Sequence, residues 1–212
     1  GLKFALKLLP SKHLGIFPEQ SSNWRWLEER IASSAIRRGG GKVQVLNLFA
    51  YTGGATLACA KAGAEVVHVD ASKFAVDLAH KNLDLSGLSE KPVRFIVDDV
   101  RKFVEREIKR GKKYDVILLD PPVYGKGVKG EVWNIEEDLG LLLSRLKNIL
   151  SPNPLAVVIN GYASGYSHTT YHQLLESMVG GLKGKISSGE LAIKESSDNR
   201  LLPCGIFARW EK

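Results

Sequence analysis

Between residues 43 and 70 the chain reads VQVLNLFAYTGGATLACAKAGAEVVHVD, an order that leaves few folds open. Val43, Val45, Leu46, Leu48 and Phe49 form a short apolar, β-branched run, the pattern of a buried strand. Tyr51-Thr52-Gly53-Gly54 interrupts it with turn-forming residues, after which Ala55, Leu57, Ala58, Ala60 and Ala62 fit a helix closed by Gly63. A second strand, Val66 to Val69, ends in an acid, Asp70. Strand, helix and strand in this order build a parallel sheet with helices on its faces.

The same stretch is chemically suggestive. A glycine turn that opens a helix offers free backbone N–H groups and positive dipole to an anionic group, and a carboxylate at the tip of the next strand can accept two ribose hydroxyls. The turn lacks the G-x-G-x-x-G spacing that lets backbone approach a pyrophosphate, so it suits a smaller anion such as a methionine carboxylate. A third strand, Val93 to Val97, runs into Asp98-Asp99-Val100, which puts a second acid where an adenine amine would lie. A fourth, Tyr114 to Leu119, runs into Asp120-Pro121-Pro122-Val123-Tyr124.

The rest of the chain extends the pattern. Residues 1–40 read as a lead: Leu2 to Leu9 as an edge strand ending at Pro10, then a helix capped by Ser22 or Asn23, running through Ile36 and stopped by Gly39-Gly40-Gly41. Residues 41–212 read as one α/β domain of five strand-then-helix units from Val43 to about Gly180, with Ser72 capping the second helix. Two strands, Gly184 to Glu195 and Arg200 to Glu211, follow as an antiparallel hairpin. A length of 212 residues allows a sizeable core, and a net charge of +7 with a pI near 9.4 favours an anionic partner. Two cysteines, Cys59 and Cys204, fit a reducing compartment, and no apolar run is long enough to span a bilayer. The opening LKFALKLLPSK lacks the features of a signal peptide, so the expected location is the cytoplasm.

The ordered motifs NLFAYTGGATLACAKAGA, VVHVDAS, FIVDDVRKF and LLDPPVYG resemble those of class I S-adenosylmethionine-dependent methyltransferases. More narrowly, they are similar to the bacterial and archaeal large-subunit rRNA methyltransferases that make 5-methylcytosine and 7-methylguanine, catalytic domain only. GIFPEQSSNW and the closing RLLPCGIFARW belong to the same resemblance. It implies a Rossmann-like, mostly parallel sheet with a terminal antiparallel hairpin, S-adenosylmethionine as cofactor and RNA, specifically rRNA, as partner. It also implies a cofactor site formed by Gln20, Phe49, Tyr51, Thr52, Gly53, Asp70, Ala71, Ser72, Asp99 and Val100.

The catalytic set expected is Asp120, Pro121, Pro122 and Tyr124. Two prolines stiffen the turn, their carbonyls and the Asp120 side chain would hold a nucleobase edge, and Tyr124 would stack on its face. Carbon methylation of cytosine needs a cysteine nucleophile, and neither DPPVYG nor VVINGYASGYS supplies one, so a base nitrogen is the better target. Both Cys59 and Cys204 read as buried and structural. His168 and His172, four residues apart, lack a third ligand, so no metal is expected. His68, Trp24 and Trp26 read as packing residues, the basic face of Arg101 to Arg110 as solvated, and Gly125 to Gly130 as the most mobile loop. Two other functions fit the cofactor motifs: a methyltransferase for a small molecule or protein, and a catalytically silent ribosome-assembly factor.

Overall fold

A computed structural model describes residues 1–7, 14–37, 41–162 and 165–212. Its centre is a seven-stranded sheet of order β3-β2-β1-β4-β7-β9-β8. The strands are β1 (Gln44–Leu48), β2 (Glu65–Asp70), β3 (Val93–Val97), β4 (Val116–Leu119), β7 (Ala156–Gly161), β8 (Lys185–Lys194) and β9 (Leu201–Glu211). The first five pair in parallel, and β9 enters antiparallel between β7 and β8. This is the α/β sheet with a terminal antiparallel hairpin that the sequence predicts. Strands β1, β4 and β7 are apolar on both faces because helices cover both, which is why they read as runs and not as alternations.

Helices α1 (Ser21–Arg37), α2 (Gly54–Lys61) and α3 (Lys73–Leu85) pack on one face through Leu27, Ile31, Leu57, Cys59 and Leu83. Helices α4 (Val100–Lys109), α5 (Ile135–Leu146) and α6 (His168–Val179) cover the other through Phe103, Val104, Leu139, Leu143, Tyr171 and Leu175. The strand order reverses between β1 and β4, and the carboxyl ends of parallel strands at such a reversal frame a ligand crevice. Among the described residues no helix is long and apolar enough to cross a membrane.

Several local expectations change. Leu2 to Lys7 forms no strand; the Lys3 and Ala5 amides donate instead to Ser86 Oγ and Asn82 Oδ1 of α3, and Leu9 lies outside the described residues. Helix α1 is not capped by Ser22 or Asn23, because a 3-10 turn (Pro18–Gln20) feeds directly into it and Asn23 is buried inside. Of the three glycines expected to stop it, Gly39 and Gly40 lie outside the described residues. The loop after the DPP turn is a hairpin, β5 (Tyr124–Lys126) against β6 (Val132–Asn134), too short to show a period of two. The basic face of α4 is largely ion-paired: Arg101 with Asp99 and Asp138, Lys102 with Glu131, Arg106 with Asp98 and Arg110 with Glu107. Cys59 is fully buried as expected, whereas Cys204 is only half-buried, since β9 extends past the helices that cover the sheet.

Candidate active site

The carboxyl ends of β1, β2, β3, β4 and β7 converge on a cavity of about 400 Å³, within the size range of small-molecule sites. Phe49 and Tyr51 reach it from β1, Asp70 with Ala71 and Ser72 from β2, Asp99 with Val100 from β3, and Asp120 with Pro121 and Pro122 from β4. Phe17, Trp133 and Tyr162 complete its wall. A smaller recess of about 50 Å³ adjoins it and shares Phe17, Phe49, Tyr51 and Asp120; Gln20, Thr52 and Gly53 lie along this recess. The structure therefore gathers the whole predicted cofactor set at two contiguous cavities.

The turn after β1 is conformationally costly. Phe49 and Tyr51 adopt positive φ values of 54° and 48°, a region that costs a residue with a Cβ about 1–2 kcal/mol. Gly53 (φ 90°) stands just before α2, and a Cβ there would press on Ala79 and Leu57 at 3.1 and 3.2 Å. The turn is held by Asp70, whose Oδ2 accepts from the Tyr51 amide and Oδ1 from the Ser72 amide, both at 2.8 Å. Burial raises the Asp70 pKa, and the amides of Ser72, Tyr51 and Ala71 oppose that rise. Thr52 is spent on structure: its hydroxyl donates to the Gly15 carbonyl at 2.7 Å, stapling the lead to the turn.

Asp99 has two employments. It caps α4 by accepting from the Lys102 amide at 3.1 Å, and its Oδ2 pairs with Arg101 at 3.2 Å. It reaches the cavity wall already engaged, so less of its acceptor capacity is free than the sequence suggests.

Asp120 is the most perturbed acid of the site. Burial lifts its pKa to about 7, Gln20 opposes the rise, and Glu19 and Asp70 add to it. Gln20 Nε2 donates to Asp120 Oδ2 at 2.6 Å, while Oδ1 is buried with no hydrogen-bond partner. The DPP carbonyls are less available than expected, because Trp133 Nε1 donates to the Pro122 carbonyl at 2.7 Å. Tyr124 is 59% exposed on the hairpin and does not line the cavity. The aromatic wall belongs instead to Phe17 and Tyr162, whose ring centroids are 5.5 Å apart, with Phe49 against Trp133 at 4.7 Å. Tyr162 and Trp133 were missed; each stands close after an apolar run or turn but carries no motif of its own.

His68 is core: it bonds Thr56 Oγ1 at 2.9 Å, and burial drops its pKa to about 3. His168 and His172 both approach Ser188 Oγ, at 3.2 and 3.3 Å.

The lining discriminates among ligands by charge. Asp70, Asp99 and Asp120 face the cavity, with Lys126 the lone cationic side chain among its lining residues. A ligand carrying positive charge, as a sulfonium and an ammonium do, matches that field; a pyrophosphate does not. The unpartnered Tyr51 hydroxyl and Asp120 Oδ1 add polar atoms that a bound molecule can satisfy. The residues present fit S-adenosylmethionine.

Known proteins agree. Ribosomal RNA large subunit methyltransferase I of Aeromonas salmonicida is 40% identical over 102 residues, covering 48% of this chain and 26% of the relative. The chain thus spans about a quarter of the length of the curated relatives it matches. A SAM-dependent methyltransferase from Agrobacterium tumefaciens superposes with a TM-score of 0.93 at 41% identity, over 99% of this chain and 67% of that one. The magnesium protoporphyrin IX methyltransferase of Synechocystis PCC 6803, with bound SAM, shares the fold alone, at a TM-score of 0.55 and 14% identity over 91% of this chain and 81% of that one. A family model described as S-adenosylmethionine-dependent methyltransferase matches residues 1–176, and with the acid-lined crevice at the sheet's reversal this chain belongs to that family.

Proposed function

We propose that this protein methylates a base nitrogen in large-subunit ribosomal RNA. The observation that carries the reading is Asp120 Oδ1, a buried acceptor without a partner beside the cofactor cavity and an aromatic pair. An exocyclic amine or ring N–H of a nucleobase would satisfy it while Phe17 and Tyr162 contact the base face.

When bound, S-adenosylmethionine supplies a methyl group on a sulfonium sulfur. Asp70 keeps lone pairs free beyond those used by Tyr51 and Ser72, and with them accepts the ribose hydroxyls. The first-turn amide of α4 at Val100 and the remaining capacity of Asp99 address the adenine edge. Gly53 and the N-terminus of α2, which line the smaller recess, would offer backbone N–H groups to the methionine carboxylate. The reaction is an in-line displacement, so the protein's task is to align the base nitrogen with the methyl carbon, and the stiff DPP turn fixes one side of that alignment. Asp120, ionised, orients the lone pair by holding the base's hydrogens and is placed to take the proton an amine releases as the N–CH3 bond forms and the methyl–sulfur bond breaks.

No cysteine lines the cavity: Cys59 is inside α2 and Cys204 is on β9. Carbon methylation would lack its nucleophile. The net charge of +7, the exposed Lys126 and Lys129 beside the site, and the large-subunit rRNA methyltransferases among the similar proteins support RNA over a small molecule. Nucleoside mass spectrometry of rRNA from cells with and without the gene tests the reading. Loss of one N-methylated nucleoside is the expected result; unchanged rRNA with a labelled methyl group entering only protein or metabolite fractions would overturn it.

A further inference from the structure

Asp120 is held from one side, and behind the holding residue stands a row of buried amides. Gln20 Nε2 donates to Asp120 Oδ2 at 2.6 Å and to the Tyr162 hydroxyl at 3.0 Å. Asn160 Nδ2 donates to Gln20 Oε1 at 2.6 Å, Asn23 Nδ2 donates to Asn160 Oδ1 at 2.8 Å, and Arg209 donates to Asn23 Oδ1 at 3.3 Å. The row links β9, α1, β7 and the 3-10 turn. Gln20, Asn23 and Asn160 are 5%, 1% and 6% exposed, so water is a poor substitute partner for any of them.

Both ends fix its direction. A guanidinium has donors only, so Asn23 must turn its carbonyl oxygen to Arg209 and its NH2 group to Asn160. That choice sets Asn160, which sets Gln20, whose NH2 group then meets an ionised carboxylate that can only accept. Turning any one amide over sets carbonyl against carbonyl and NH2 against NH2 in a buried place. Arg209 is itself fixed by stacking on Trp26 and Phe207, at 4.7 and 5.0 Å, and by Ser187 Oγ at 3.1 Å.

We propose that Asn23 and Asn160, anchored by Arg209, are positioning residues: their one-way donor chain locks the Gln20 amide so that it occupies Asp120 Oδ2 and leaves Oδ1 as the open acceptor for the substrate. The inference rests on the reading of Asp120 as the substrate-facing acid, but the chain's direction can be tested without it. The ionisable groups facing Asp120 are Glu19 from the 3-10 turn, Asp70 from the end of β2, Tyr162 after β7 and Tyr171 from α6. Two of these are carboxyls that oppose its charge, and the donor at Gln20 holds its pKa down at about 7.

Asn160→Asp keeps size and removes the donor. Gln20 must then turn its NH2 group to residue 160 and its carbonyl to Asp120. The melting temperature should fall, and the rise of methyl transfer with pH should move upward by about one unit, a tenfold change in the ionisation equilibrium. Asp120→Asn restores a donor at the far end, so the turned Gln20 is paired on both sides while Asn23 keeps its bond to Arg209. In that background Asn160→Asp should cost less than half the melting temperature that it costs in the wild type. Equal losses in both backgrounds would overturn the chain, and coupled losses with an unmoved pH profile would overturn its positioning role. Asn23→Asp reverses the chain from farther away and serves the same comparison if Asn160→Asp does not fold. A wild type that transfers no methyl to RNA would fail the proposed function and leave the thermal comparison standing.

Discussion

The Tyr51 amide donates to Asp70 Oδ2 at 2.8 Å, tying the strained turn after β1 to the tip of β2. One carboxylate therefore both shapes the turn and faces the cavity, so its loss acts twice. Asp70→Ala should weaken binding of S-adenosylhomocysteine by tenfold or more, since a hydrogen bond to a charged acceptor is worth about 1.5–3 kcal/mol. Calorimetric titration reads it, with NAD binding more weakly than either sulfur cofactor in the wild type.

The acidity of Asp120 has opposite consequences for stability and activity. Its pKa in the folded protein, about 7, lies above the ordinary carboxylate value near 4. Folding is thus favoured by the protonated form: that stability is complete below about pH 4 and is lost as pH rises through 7. Asp120→Asn should raise the melting temperature at pH 8, by the equivalent of up to about 4 kcal/mol, and leave it nearly unchanged at pH 4. Methyl transfer should run the other way, rising through pH 7 in the wild type and falling at least a hundredfold in the variant.

Aromatic contact with the base is assigned to the cavity wall and not to the hairpin. Tyr162→Ala should lower transfer by tenfold or more, in keeping with about 1–3 kcal/mol per stacked base, whereas Tyr124→Ala should lower it less than threefold. Single-turnover rates with saturating RNA distinguish the two.

Lys126 and Lys129 extend from the hairpin beside the cavity. Replacing both with Glu should weaken RNA binding and reduce the slope of log K against log salt by about 0.7 for each phosphate no longer neutralised. An unaltered slope would exclude the hairpin as the RNA entry path.

Cys204→Ser should leave the rate within twofold, because the thiol lies on β9 and outside the cavity lining. Loss of transfer with retained cofactor affinity would restore cytosine carbon methylation as the chemistry.

The strands and the acids at their tips were legible because burial on two faces leaves unbroken apolar runs, and an acid ending such a run is conspicuous. Ser72 was legible as a cap from its place before the helix, and its hydroxyl does accept from the Ala75 amide at 3.2 Å. Leu2 to Lys7 misled because an alternating apolar pattern also suits an extended segment lying against a helix. Tyr124 misled because adjacency in sequence does not survive a hairpin: β5 carries its ring away from the turn that precedes it. Asn23, Asn160 and Arg209 could not be joined on paper, since their bonds span 137 and 186 residues. A lone Asn ending the apolar run AVVIN was the one available sign.

The place of β9 has a consequence for how the chain comes off the ribosome. Strand β7 emerges with its outer edge unpaired, and Ala156 waits for Glu211 while α6 and β8 are made in between. Edges left open in this way invite intermolecular pairing, and long-range strand insertion is slow. Arg209 arrives on that same late strand, so a nascent chain can hold all its cofactor motifs before Gln20 has been given its final orientation. Competence for chemistry then waits for β9, together with closure of the sheet.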